Sequence, residues 1–135
     1  MSRRGEALME KKRILVVDDS PSMTAMLKLQ LEAGGFYEVV EENHAGRSVE
    51  TIRTCRPDVI PLDVMMPEMD GGDIDAQLRE DPLLRRIPVI FLTSAVTKAE
   101  TTNGTMKIRG RLFLAKPVDI DEVCSCVAQS LGNGR

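Results

Sequence analysis

Along the chain the spacing of apolar residues alternates between a strand-like and a helix-like period. Ile14–Val17 is a short unbroken apolar run, as expected of a parallel strand covered on both faces. Ser20-Pro21 predicts a helix cap and first helical residue, Met23, Met26, Leu27 and Leu31 predict one buried face, and Gly34-Gly35 predicts the stop. Tyr37–Glu41 is a second, more polar strand and so belongs at an edge. Ala45, Val49 and Ile52 keep a helical period until Pro57. Val59–Asp63 predicts a third strand, although Pro61 removes a ladder donor and predicts a local loss of pairing. A turn-rich stretch from Pro67 to Gly72 leads into a short helix, Asp73–Arg79, broken at Pro82. Pro88–Leu92 is the fourth strand and Leu112–Ala115 the fifth. Between them Thr97–Ile108 stands where a helix is due. Thr97, Thr101, Thr102, Asn103, Gly104 and Thr105 form helices poorly, so this is expected to be the most irregular helix. Ile120, Val123, Cys124, Val127 and Leu131 predict the last helix, with Asp119 and Glu122 at N-cap and N3 spacing and Gly132 at its end.

Five strands alternating with five helices predict one parallel sheet with helices on both faces and right-handed crossovers. In such sheets ligands sit beyond the carboxyl ends of the strands, where strand order reverses.

A length of 135 residues fits one domain, and 42% apolar residues fit a globular rather than a disordered chain. No apolar run reaches the ~20 residues of a membrane span. Met1–Arg13 lacks a signal-peptide core, so export is not expected. The net charge is −3, unevenly placed: five basic and two acidic residues in 1–13 give +3, leaving −6 for the rest. An acidic body is a poor footprint for nucleic acid, and the short basic start reads as a solvated leader. We divide the chain into a flexible basic leader (1–12), one domain (13–132) and a tail (133–135). Cys55, Cys124 and Cys126 form no CxxC pair and read as free thiols of a reducing cytoplasm. His44 has no partner motif, and the methionines read as flexible filler. The acids around Asp70-Gly71-Gly72 lack the spacing of a calcium loop and read as a turn and helix start.

The predicted strand ends carry the chemistry. Asp18 and Asp19 follow the first strand, Asp63 closes the third, Thr93 follows the fourth and Lys116 the fifth. Three carboxylates in one cleft repel one another unless a cation or proton joins them. Mg²⁺, a hard ion that prefers oxygen, suits them. A carboxylate is also a nucleophile toward phosphorus. A metal, a lysine and a hydroxyl would stabilise the charge on a transferring phosphoryl group. Each residue alone has a plainer reading: a helix cap for Asp18 or Thr93, a surface lysine for Lys116, a core aromatic for Phe113. The set in order outweighs those readings.

Val16-Val17-Asp18-Asp19-Ser20, the run Asp63-Val64-Met65-Met66-Pro67-Glu68-Met69-Asp70-Gly71, Leu92-Thr93-Ser94-Ala95 and Lys116-Pro117 together resemble the receiver domain of two-component response regulators, over roughly residues 13–131. The resemblance implies a flavodoxin-like α/β fold, a CheY-like (βα)5 domain with a five-stranded parallel sheet of order 2-1-3-4-5. It implies that Asp63 accepts a phosphoryl group from a histidine kinase or phosphotransfer protein. It implies Mg²⁺ (or Mn²⁺) on Asp18, Asp19, Asp63 and the main-chain carbonyl of Met65. Lys116 would pair with Asp63 and then with the phosphoryl oxygen, Thr93 and Phe113 would be the switch residues, and Lys116-Pro117 would be cis. Pro61, the segment Arg109-Gly110-Arg111-Leu112 before Phe113, and Asn103-Gly104 within the family's fourth helix depart from the usual pattern.

The expectation is thus a phosphorylation-switched module of a phosphorelay, not an enzyme beyond its own phosphotransfer and dephosphorylation. With only Gly132–Arg135 after the last helix, output is expected through contact with a downstream protein, unless the chain is part of a longer one. No direct nucleic-acid or membrane contact is expected, and the chain is expected to be a monomer or a phosphorylation-dependent dimer. Two other readings stand. A Mg²⁺-dependent phosphohydrolase with an aspartyl phosphate would want a second Asp two residues after Asp63, where Met65 stands. A receiver-like scaffold independent of phosphorylation would have no need of the intact acidic set.

Overall fold

The computed structural model describes residues 11–94, 105–108 and 111–132. Its strands are β1 (Lys12–Val17), β2 (Tyr37–Glu42), β3 (Ile60–Asp63), β4 (Val89–Thr93), β5 (Thr105–Ile108) and β6 (Arg111–Ala115). Its helices are α1 (Pro21–Glu32), α2 (Ser48–Cys55, entered through a 3₁₀ turn at Ala45–Arg47), α3 (Gly71–Arg79) and α4 (Ile120–Ser130). The sheet order is β2-β1-β3-β4-β6-β5, with β2 through β6 parallel and β5 antiparallel to β6. The first five positions reproduce the expected 2-1-3-4-5 order.

The departure is β5. Residues 105–108 were expected to end a helix and instead form an edge strand, with Ile108 paired to Arg111. β-branched Thr105 and Ile108 favour a strand, and a two-residue spacing that contains Gly110 suits a hairpin. The rest of the Thr97–Ile108 expectation lies outside the described residues, as do most of the basic leader and the tail.

Alternation along the strands builds two cores. Ile14, Val16, Ile90, Leu92 and Leu114 meet Leu27 and Leu31 of α1 and Val123, Cys126 and Val127 of α4. Leu15, Val17, Ile60, Leu62 and Phe91 meet Ile52, Ile74 and Leu78 on the opposite face. In α1 the buried positions are Thr24, Leu27 and Leu31; Met26 is 41% exposed and does not belong to the expected core face. Apolar residues lie nearly all round α1, so the sequence marks its buried stripe too broadly. The helix ends obey local chemistry. Ser20 caps α1 and Asp70 caps α3 through side-chain oxygens. Arg56, just before Pro57, closes α2 at φ 52°, and Gly132 follows α4 at φ 75°. Asp119 caps α4 by accepting from the amide of Asp121.

Pro61 behaves as expected. β3 pairs continuously with β4, but its ladder to β1 is reduced to Val17 opposite Leu62 and an isolated bridge between Ile14 and Val59. Residues 60 and 64 donate toward β4, so the missing N–H at 61 is one that would have faced β1.

Candidate functional site

The doubly covered strands deliver the site. β1 ends at Val17, and the next residue, Asp18, donates its amide to the carbonyl of Glu42 at the end of β2 (3.1 Å). The chain then turns at once into α1, because Asp18 Oδ1 accepts from the Ser20 amide (3.0 Å) and Ser20 caps the helix. Asp63 is the last residue of β3. Gly71, the first residue of α3, lies so close behind it that an added Cβ would stand 2.9 Å from the Asp63 carbonyl oxygen. The Lys116 amide donates to the Thr93 carbonyl (2.8 Å), which ties the ends of β4 and β6 together.

Asp18, Asp19 and Asp63 each place a carboxylate oxygen within 4.8 Å of the other two. Lys116 Nζ donates to Asp63 Oδ1 (3.1 Å) and Asp18 Oδ2 (3.4 Å). The Met65 amide also donates to Asp63 Oδ1 (3.2 Å). Asp18, Asp63 and Thr93 are 1%, 2% and 3% exposed, whereas Asp19 faces solvent, so the cluster opens on one side. A cleft of about 610 Å³ lined by Asp18, Ser20, Met23, Met26, Ser94 and Lys116 approaches it from α1. A second of about 640 Å³, lined by Asp19, Met65, Pro67 and Asp70, approaches from the β3–α3 loop.

Burial pushes the Asp18 carboxyl above the usual range, and the nearby Asp63 charge adds to that against the Ser20 amide and Lys116. Burial works against the Lys116 ammonium, but Asp18 and Asp63 outweigh it and hold its pKa above the ordinary value. Three carboxylates against one ammonium leave excess negative charge, and the donor set is all oxygen. That chemistry fits a small hard cation. Asp18, Asp19 and Asp63 would hold it, directly or through water.

The other expected positions are placed as follows. Met65 follows Asp63 by two residues, with its side chain 66% exposed. Phe113 is half-buried and stacks on Phe91 with ring centroids 4.9 Å apart, inside the core that contains α2 and α3. The Lys116-Pro117 peptide is cis. Outside the expected set stand Asn43 and Thr24, which hydrogen-bond against the back of the Asp18 turn. Polar side chains of that kind carry no motif, and only the coordinates reveal them.

Comparison with known proteins gives the family. Residues 14–128 match the response regulator receiver domain family, and the chain belongs to it. It is 31% identical to the chemotaxis protein CheY of Bacillus subtilis, over 88% of this chain and 97% of that protein. It is 36% identical to the response regulator PleD of Caulobacter vibrioides over 79% of this chain, but spans only 23% of PleD. Among solved structures, the chemotaxis protein CheY4 of Vibrio cholerae superposes with a TM-score of 0.75 at 25% identity, covering 90% of this chain and all of that one. The chain is a receiver domain of two-component signalling, with the CheY-like fold. Among the described residues, no helix is long and apolar enough to cross a membrane.

Proposed function

We propose that Asp63 accepts a phosphoryl group from the phosphohistidine of a sensor histidine kinase or phosphotransfer protein, and that the acyl phosphate switches the affinity of this domain for a downstream protein. The observation that carries this reading is the convergence of Asp18, Asp19, Asp63 and Lys116 at one rim of the sheet, in a member of the receiver family.

An Asp63 carboxylate oxygen attacks phosphorus, the P–N bond breaks, and the imidazole nitrogen leaves with the bonding pair. Asp18, Asp19, Asp63 and the Met65 carbonyl would hold a Mg²⁺, which would supply positive charge beside the transferring phosphoryl group. Lys116, already 3.1 Å from Asp63, neutralises a further oxygen. Thr93, at the neighbouring strand end, turns its hydroxyl toward the same group, and Phe113 repacks with it, shifting a two-state equilibrium. Water later attacks the phosphorus, releasing inorganic phosphate and restoring the carboxylate. On this reading the domain turns over no other substrate, works in the cytoplasm and signals by protein contact. It is a monomer or a phosphorylation-dependent dimer.

Intact-mass measurement with acetyl phosphate and Mg²⁺ tests this. One phosphoryl group is expected on the wild type and none on Asp63→Asn. Lys116→Ala is expected to keep Mg²⁺ binding and to weaken the switch. Multiple-turnover hydrolysis of a phosphomonoester would move the protein to the phosphohydrolase class. No adduct under any condition would leave it a scaffold.

A further inference from the structure

We infer that Asn43 is a positioning residue for the metal: it fixes the Asp18–Asp19 peptide from the far side, so that the Asp19 carboxylate is presented to the cation. This rests on the reading of Asp18, Asp19 and Asp63 as metal ligands and adds to it the residue that follows β2.

The turn after β1 has few handles. The Asp18 amide is held by Glu42, its Oδ1 by the Ser20 amide and its Oδ2 by Lys116. The Asp18 carbonyl remains, and Asn43 Nδ2 donates to it at 2.8 Å. That carbonyl belongs to the rigid plane joining Asp18 to Asp19, so rotating it swings the Asp19 Cα and its carboxylate. Asp19 is exposed, and among the described residues its carboxylate has no hydrogen bond or ion pair of its own. With no side-chain partner of its own, it has the peptide that sets its Cα–Cβ direction as its restraint, and its χ1 and χ2 rotamers supply the rest of its aim.

The amide of Asn43 is itself oriented. Its second N–H donates to Thr24 Oγ1 at 3.0 Å. Thr24 is fully buried and has one hydroxyl hydrogen, which goes to Glu41 Oε1 (2.8 Å) in preference to the Pro21 carbonyl (3.2 Å). Thr24 Oγ1 therefore accepts from Asn43. The Asp18 carbonyl can only accept, so Nδ2 and not Oδ1 must face it. Glu42 brings Asn43 to this place, because its carboxylate accepts from the His44 amide (2.9 Å) and Thr51 Oγ1 (2.6 Å) and bends the chain as it leaves β2. Outer partners of this kind aim metal-binding groups, and losing one typically weakens metal affinity.

The test is Mn²⁺ binding to the full chain, followed by electron paramagnetic resonance of the free ion with Mg²⁺ as competitor. Asn43→Ala is expected to weaken both ions by about tenfold. Thr24→Val, which keeps the buried shape, is expected to weaken them less, and the double variant no more than Asn43→Ala, because the two act in series. Phosphoryl uptake by Asn43→Ala is expected to fall at low Mg²⁺ and recover at high Mg²⁺. Unchanged metal affinity in a folded Asn43→Ala, whatever its melting temperature, would overturn the inference. If Asn43→Ala does not fold, Thr24→Val decides by the same criterion. The titration needs no phosphoryl donor. A wild type that binds metal but takes no phosphoryl group therefore defeats the proposed function and leaves Asn43 still to be judged by its metal affinity. A wild type that binds no metal defeats both.

Discussion

The interior strands and the β5–β6 edge obey different constraints. In β1 from Ile14 to Val17, and throughout β3 and β4, every side chain is buried. In β6 Arg111, Leu112 and Phe113 are only half-buried, and full burial begins at Leu114. A strand covered on both faces cannot slip by one residue without driving its apolar set into the wrong layer. Asp18, Asp63 and Thr93 leave such strands directly, and Lys116 leaves the buried half of β6. The site is therefore fixed where the core is most demanding, while the start of β6 and Met106 and Lys107 of β5 can vary at less cost.

The sharpest way to break that contrast is to remove core volume on each side. Leu62→Ala, in β3, is expected to cost about 2–5 kcal/mol. Met106→Ala, on the half-covered edge strand, is expected to cost about 1 kcal/mol. Urea unfolding of the two variants checks this, and equal losses would erase the distinction. Next comes Gly71→Ala. The added methyl meets the Asp63 backbone rather than a flexible side chain, so a loss of about 1–3 kcal/mol is expected, with slower phosphoryl uptake because the Asp63 peptide must shift. A variant as stable and as readily labelled as wild type would show that the close approach is not needed.

Two smaller effects sharpen the picture at the strands flanking β1. Pro61→Val restores a donor toward β1 and is expected to stabilise by about 1 kcal/mol, the new hydrogen bond outweighing the added freedom of the unfolded chain. Thermal unfolding reads the sign. At the outer edge of β2, Val39 gives its amide to Glu32 and takes a bond from Lys28 on its carbonyl, so α1 side chains cover that edge. The Val39 amide, and then Lys28, hold the Glu32 carboxyl below its ordinary pKa. That contribution is present above the usual carboxylate range and is lost as pH falls through the lowered value. Glu32→Gln is therefore expected to lose a little stability at neutral pH, with the gap to wild type closing in acid. A gap that persists in acid would assign the loss to packing instead.

The same contrast explains what could be read without coordinates. Ile14–Val17 and Val89–Leu92 are apolar runs whose burial leaves one interpretation, and the polar residues beyond them, Asp18 and Asp19 after the first and Thr93 after the second, fall at one rim of the sheet by topology alone. Pro61 also announced its own lost pairing. The four residues Thr105–Ile108 show no decisive period, and the regular βα alternation points to a helix where the structure has a strand. Met26 reads as core because α1 is apolar nearly all round, and only the packing of Thr24, Leu27 and Leu31 selects the inner face. Asn43 and Thr24 carry no local signal because Asn43 bonds across 25 residues to Asp18 and across 19 to Thr24.

The central claim is a reactive carboxylate at Asp63 beside a metal-binding cluster. The most direct test is to incubate the wild-type chain with acetyl phosphate and Mg²⁺, reduce the acyl phosphate with borohydride, and map the altered residue by peptide mass spectrometry, with a chelated sample alongside. Homoserine is expected in place of Asp63, in a yield that depends on Mg²⁺. Reduction at Asp18, Asp19 or any other residue, or an equal yield in the chelated sample, would contradict it.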